Sequence, residues 1–410
     1  MAIIRPFAAL RPAAELAAQV AALPYDVYSR EEALEAVKGR PYSFLNIDRP
    51  ETQFPSGYDM YAPEVYRKAG ELLQRQKAEG IYVKDPAPCY YIYTLTMDGR
   101  SQTGLAACSL AEDYDNGVIR RHENTRAEKE ADRIRHVEAC RAQTGPVFLA
   151  YRRDESVREI LEAQKQKKPL YDFTSEDQIR HQVWKISDSE VIRLLTGLFK
   201  RIPHTYIADG HHRAASAVNV CRKYSREHPE APCDAEFRYF LSVLFSEDEL
   251  KIMDYNRVVS DLNGYTPEGF LAELSAIFRI TEQNHMFRPR EKGEIGLCLE
   301  DSWYCLEARP ERKKEDPVGC LDVSLLQREV LSPLLGIDDP KTDPRIDFVG
   351  GIRGLKELER RCRKDCAAAF SMYPTSMEEL FAVADAGSLM PPKSTWFEPK
   401  LRSGLLIHEI

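Results

Sequence analysis

Thr205-Tyr206-Ile207-Ala208-Asp209-Gly210-His211-His212-Arg213, running on into Ala214-Ala215-Ser216-Ala217-Val218, is the most informative stretch of the chain. The β-prone residues before Asp209 and the small-residue helical pattern after Arg213 predict a strand, a tight turn at glycine and a helix lying close on a sheet. The start of a helix offers unpaired N–H groups and a partial positive charge, so a glycine there beside His and Arg makes an anion site. The plainer reading takes Asp209 as an N-cap and Arg213 as a surface cation, but two histidines and an arginine in one first turn exceed what capping needs. The histidines are adjacent and diverge by about 100° on a helix, so they do not form a chelating pair, and no protein metal site is expected.

Outward from this turn the chain alternates helices and strands. Cys89 to Met97 and Gln102 to Leu110 flank Asp98-Gly99 and predict an antiparallel hairpin. Further strands are expected at 147–151, 205–208, 237–245, 253–259, 295–300 and 303–307, and helices at 13–22, 30–38 (capped by Ser29 with Glu32) and 62–78. Two Pro-Tyr segments, Pro24-Tyr25-Asp26-Val27 and Pro41-Tyr42-Ser43-Phe44, read as extended cleft-edge loops. The mixture predicts a mixed α+β (α/β) fold in two domains, 1–262 and 263–410, with the boundary near Asp261 to Pro267.

A second segment with chemistry runs from Ile119 to His136. Thr125-x-x-Glu128 reads as a capping box that starts a helix. Along that helix Arg126, Lys129, Arg133 and His136 share one face, a basic row in an acidic protein that suits an anionic ligand. The plain alternative is a solvated face balanced by Glu128, Glu130 and Asp132. His122-Glu123 just before the cap adds an imidazole and a carboxylate. Glu123 is the candidate general base for a hydroxyl acceptor, with Asp26 and Asp209 as alternatives. A third segment, Ile346 to Lys356 with Gly350-Gly351 and Gly354, lacks the spacing of a P-loop or dinucleotide turn and reads as a tight turn. The proline-stiffened, aromatic Met390 to Phe397 is a candidate contact surface without chemistry.

Composition bounds the rest. The 410 residues carry 65 acidic and 57 basic side chains, a formal charge of -8, which argues against a surface that tracks a nucleic-acid backbone. No apolar run approaches the roughly 18 residues of a membrane span. Ten scattered cysteines without a C-x-x-C, and an N-terminus without signal-peptide features, give the expectation of buried thiols and a cytoplasmic protein.

Asp209-Gly210-His211-His212-Arg213, Pro24-Tyr25-Asp26-Val27, His122-Glu123-Asn124-Thr125-Arg126 and Gln143-Thr144-Gly145-Pro146-Val147-Phe148-Leu149 together resemble the bacterial domain-of-unknown-function family 1015 over nearly the whole chain. That family's Gly-His-His-Arg turn is similar to the phosphate-binding turn of the ParB/sulfiredoxin superfamily, which includes free serine kinases. The resemblance implies a ParB/sulfiredoxin-like nucleotide-binding core with a helical N-terminal elaboration and an extra C-terminal α+β domain. It also implies a phosphotransferase using ATP or ADP with Mg²⁺ on a small hydroxyl metabolite such as L-serine. Under it, Glu123, His122 and His211 form the candidate catalytic set. Asp209, Gly210, His211, His212, Arg213, Arg126, Lys129 and Arg133 would hold phosphates, and Tyr25, Asp26 and His136 would line the substrate cleft. His211 stands where sulfiredoxins carry a catalytic cysteine, which argues against thiol redox chemistry. The alternatives are a nucleotide- or metabolite-sensing regulator that meets partners, a second copy among them, through its C-terminal region, and a ParB-like DNA binder.

Overall fold

Asp98 and Gly99 both sit at positive φ, 50° and 78°, as a two-residue type I′ turn requires. They join Tyr90–Met97 to Arg100–Leu110 in antiparallel register. The computed structural model, which describes residues 1–410, builds a nine-stranded mixed sheet around this hairpin. Its order is Ile119–Arg120, Thr205–Asp209, Val147–Tyr151, Tyr239–Ser246, Arg100–Leu110, Tyr90–Met97, Arg180–Ile186 and Tyr171–Thr174, with Ile4–Arg5 pairing beside Arg100–Leu110. Helices Glu155–Lys165, Ser189–Phe199 and His211–Glu227 cover one face, sending Val157, Leu161, Leu195, Phe199, Ala214 and Val218 into a core with Tyr90, Leu105, Leu149 and Ile207. The alanines of the last helix allow the close approach that the sequence predicted.

The chain forms two compact units: residues 1–250 with 399–410, and residues 251–398. The division lies between Leu250 and Lys251, ahead of the expected Asp261–Pro267, because Tyr255–Val259 pairs with Ile346–Gly350 and Ala368–Met372 inside the second unit's sheet. That sheet has six antiparallel strands, in the order Phe278–Gln283, Ser302–Ala308, Glu294–Leu299, Ala368–Met372, Tyr255–Val259, Ile346–Gly350. Pro399–Ile410 belongs to the first unit, a departure from a plain C-terminal domain at 263–410. Its backbone pairs with Ala22, Leu10 and Gln143.

Other expectations shift in detail. The Ser29–Glu32 capping box forms and starts Arg30–Val37. The helix expected over 13–22 shrinks to a 3₁₀ turn, Ala14–Leu16, and one α-turn, Ala17–Val20. It stops there because Ala22 exchanges backbone hydrogen bonds with Ser403. Tyr25–Val27 is a 3₁₀ turn after an extended Pro24. Gly350 and Gly351 serve packing: a Cβ at Gly350 would lie 2.9 Å from the Trp396 ring and one at Gly351 2.5 Å from the Asp254 carboxylate. All ten cysteines are free thiols; five are buried and Cys233 is exposed. No helix is long and apolar enough to cross a membrane.

Gly104 lies mid-sheet, where a Cβ would meet Val243 Cγ1 at 2.7 Å and the Phe245 ring at 2.8 Å. Gly104→Ala is expected to cost roughly 1–3 kcal/mol, read as a lower urea midpoint with an unchanged slope.

Candidate functional site

The Thr205–Asp209 strand carries a register shift against Val147–Tyr151 between Ile207 and Asp209, a bulge that leaves Ala208 unpaired just before Asp209. Gly210 follows at φ 91° and caps the His211–Glu227 helix. The Arg213 guanidinium folds back over it, leaving 3.0 Å between Cζ and the place of a Cβ. Gly210 is therefore needed for its backbone conformation and for Arg213 to sit down. Arg213 donates to Asp209 Oδ2 at 2.9 Å and to the Pro146 carbonyl, while its buried Nε has no partner. Lys400 donates to Asp209 Oδ1 at 3.3 Å. Burial opposes charge on Asp209, but Lys400 and Arg213 hold its carboxyl well below the usual range.

The basic helix runs Ala127–Cys140 with Arg126 at its N-cap. The Thr125–Glu128 capping box is not formed, because the Thr125 hydroxyl bonds Glu130 instead. The Arg126 backbone N–H donates to His212 Nε2 at 3.1 Å, so the starts of two helices meet at one hydrogen bond. Behind that contact Ser216 Oγ bonds the Glu130 carbonyl at 3.2 Å and Asn219 donates to the Glu130 carboxylate at 3.0 Å. The expected basic row splits along its length. Arg126 and Lys129 are exposed, whereas Arg133 and His136 are buried. Arg133 stacks on the Tyr25 ring at 4.0 Å and donates to Asp132 at 2.9 Å; His136 donates to the Ile47 carbonyl at 2.8 Å. Burial and then Arg133 lower the His136 pKa, so it is no fourth cation.

His211 packs edge-on against His122 with ring centroids 4.6 Å apart, its Nδ1 3.9 Å from Glu123 Oε2 and its buried Nε2 without a partner. Burial depresses His211 to about 4 and His122 to about 3, and it lowers His212 as well. The turn's charge thus comes from Arg213 and Lys400, and its imidazoles work as neutral hydrogen-bonding groups. Glu123 and Asp26 both act electrostatically on His212, and Asp26 on Arg213. A cleft of about 190 Å³ is lined by Tyr25, Asp26, Arg49, Lys129, Asp132 and Arg133 among others. A smaller cavity of about 20 Å³ behind it is bounded by Tyr25, Arg133, His136, Thr144, Gly145 and Arg213. Tyr25 and Arg133 form the wall the two share.

The structure thus gathers the two segments that the sequence singled out, with His136 set deeper than a substrate-facing position. Lys400 was missed. It lies far along the chain in a tail with no local motif, and only the fold reveals it.

This chain belongs to the DUF1015 family, described as a protein of unknown function, whose model matches residues 4–324. No curated protein matches it. Among solved structures it is similar to free serine kinase in complex with AMP, at 15% identity over 70% of this chain and 89% of that one, with a TM-score of 0.33. It is also similar to SbnI with C-terminal truncation from Staphylococcus aureus (11% identity, 73% and 85% covered, TM-score 0.36). A third is a conserved hypothetical protein from Pyrococcus furiosus (14%, 70% and 91%, 0.32). Likenesses of this strength fix neither fold nor chemistry.

Two outcomes test this electrostatic arrangement. Asp209→Asn leaves Arg213 and Lys400 without their carboxylate and is expected to cost roughly 3 kcal/mol, while adding Lys400→Met recovers part of it in urea melts. His211 binds its proton near pH 4 when folded, against 6.5 as the ordinary value. The unfolded chain therefore takes up protons first, and stability falls as pH drops from 6.5 towards 4. Thermal melts across that window are expected to show the loss, with a shallower slope in His211→Gln.

Proposed function

We propose that the protein is a nucleotide-dependent phosphotransferase acting on a small hydroxyl metabolite, with L-serine the first acceptor to test. The observation that carries this reading is the meeting of two helix N-termini at the Arg126–His212 hydrogen bond. A carboxylate, Glu123, and an unpartnered imidazole nitrogen, His211 Nε2, stand beside it. Two converging helix starts present unpaired N–H groups and the positive ends of two dipoles, a fit for a polyphosphate. Exposed Arg126 and Lys129 would neutralise its outer oxygens, and Arg213, fixed by Asp209, supplies buried positive charge from below. In this reading the first unit is a ParB/sulfiredoxin-like nucleotide-binding core.

ATP or ADP with Mg²⁺, held by Arg126, Lys129 and the two helix starts, would supply the transferable phosphoryl group and charge neutralisation when bound. The acceptor hydroxyl enters from the Tyr25–Arg133 cleft. Glu123 takes its proton as the new O–P bond forms and the P–O bond to the nucleotide breaks. His211 donates or accepts a hydrogen bond as a neutral ring, and Asp26 in the cleft lining orients the acceptor.

The direct test incubates the protein with ATP or ADP, Mg²⁺ and L-serine and looks for O-phosphoserine by mass spectrometry. Product is expected. Glu123→Gln should lower turnover by about 10²-fold or more while keeping nucleotide-induced thermal stabilisation, whereas Arg213→Ala should lose that stabilisation. Stabilisation by nucleotide with no product from serine or other small alcohols would leave a binding protein and end the phosphotransferase reading.

A further inference from the structure

A cavity in the first unit that the proposed chemistry does not use holds about 490 Å³, within the usual range for small-molecule sites. Small side chains from the opening turns and from Arg30–Val37, namely Ala18, Ala21, Ala22 and Ala36, leave the volume open, and Tyr28 and Tyr42 add aromatic wall. Its polar end is made by Thr174–Asp177 and by Arg402 from the docked tail. The Arg402 side chain is only 4% exposed, so this charge is held inside the protein at the cavity wall. It donates through Nη2 to Ser175 Oγ at 3.2 Å and to the Asp177 carboxylate, and through Nε to His181 Nε2 at 3.4 Å. Nη1 makes no hydrogen bond. His181 is itself fixed by the Tyr93 hydroxyl at 2.9 Å, so the guanidinium is braced on two sides with one face left over.

We propose that this cavity binds a small carboxylate-bearing metabolite with an apolar body, its carboxylate bonded to Arg402 and its body against the alanine and tyrosine walls. Nη1 offers the first bond, and a carboxylate in the guanidinium plane takes the second from Nη2 by displacing Asp177. Asp177 is half exposed and turns to water as that happens. A phosphate dianion fits less well, because Glu176 and Asp177 already place two carboxylates at the same end. This binding is independent of the phosphotransferase reading, since none of these residues touches the turn at Gly210.

The test uses the full chain and two probes of equal size, 3-phenylpropionate and the uncharged 3-phenylpropan-1-ol, in thermal melts at low millimolar concentration. The carboxylate is expected to raise the midpoint by a few degrees and the alcohol to leave it unchanged. Ala18→Phe places a ring in the cavity from an exposed position and is expected to weaken 3-phenylpropionate binding at least tenfold by calorimetry, as is Arg402→Gln. Equal shifts by both probes, no shift by either, or binding that survives Ala18→Phe unchanged would each overturn the proposal. If Arg402→Gln does not fold, Ala18→Phe and the paired probes decide alone.

Discussion

One carboxylate ties the first unit together at its site. Asp209 ends a strand on a bulge, and its two oxygens are taken by cations from opposite directions in sequence, Arg213 from the helix that starts beyond Gly210 and Lys400 from the C-terminal tail. Each of the three charges is mostly withdrawn from water, and a buried charge of this kind is tolerated only while its partners stay in place. Arg213 in turn reaches the Pro146 carbonyl and lies on the face of Gly210, so the arrangement fixes the loop before Val147 and the left-handed turn as well.

On this fixed base the imidazoles beside the turn are kept neutral. The three histidines around the turn are held uncharged by burial, which keeps mutual repulsion out of a crowded corner where His211 and His122 touch edge to face. Positive potential there comes from helix ends and from cations at the rim and beneath, a distribution that favours an anion without requiring a proton to arrive with it. Arg133 adds charge to the neighbouring cleft and stacks on Tyr25 in its wall.

Much of this was legible in the sequence where local chemistry decides structure. Asp98-Gly99 fixed the central hairpin because few other pairs accept two positive φ values in a row, and the small residues after Arg213 announced a helix pressed on a sheet. Local rules failed where a distant partner competes. Thr125 spends its hydroxyl on Glu130, so its capping box never closes; the opening helix yields to backbone pairing with Ser403. Periodicity placed Arg126, Lys129, Arg133 and His136 on one face but carries no information on depth, and two of the four sink into the core. Lys400 and Arg402 sit in a stretch with no period or motif, and their roles exist only through residues far away in the chain.

That tail gives the protein an order of assembly. Residues 399–410 complete the first unit but leave the ribosome after the whole of the second. During synthesis Asp209 and Arg213 must wait for Lys400 through the making of residues 251–398, and the Ala22 and Leu10 backbone groups wait for Ser403 and Ile407. The first unit therefore reaches its finished form only after translation has passed the second, and an interrupted chain carries an electrostatically unfinished site.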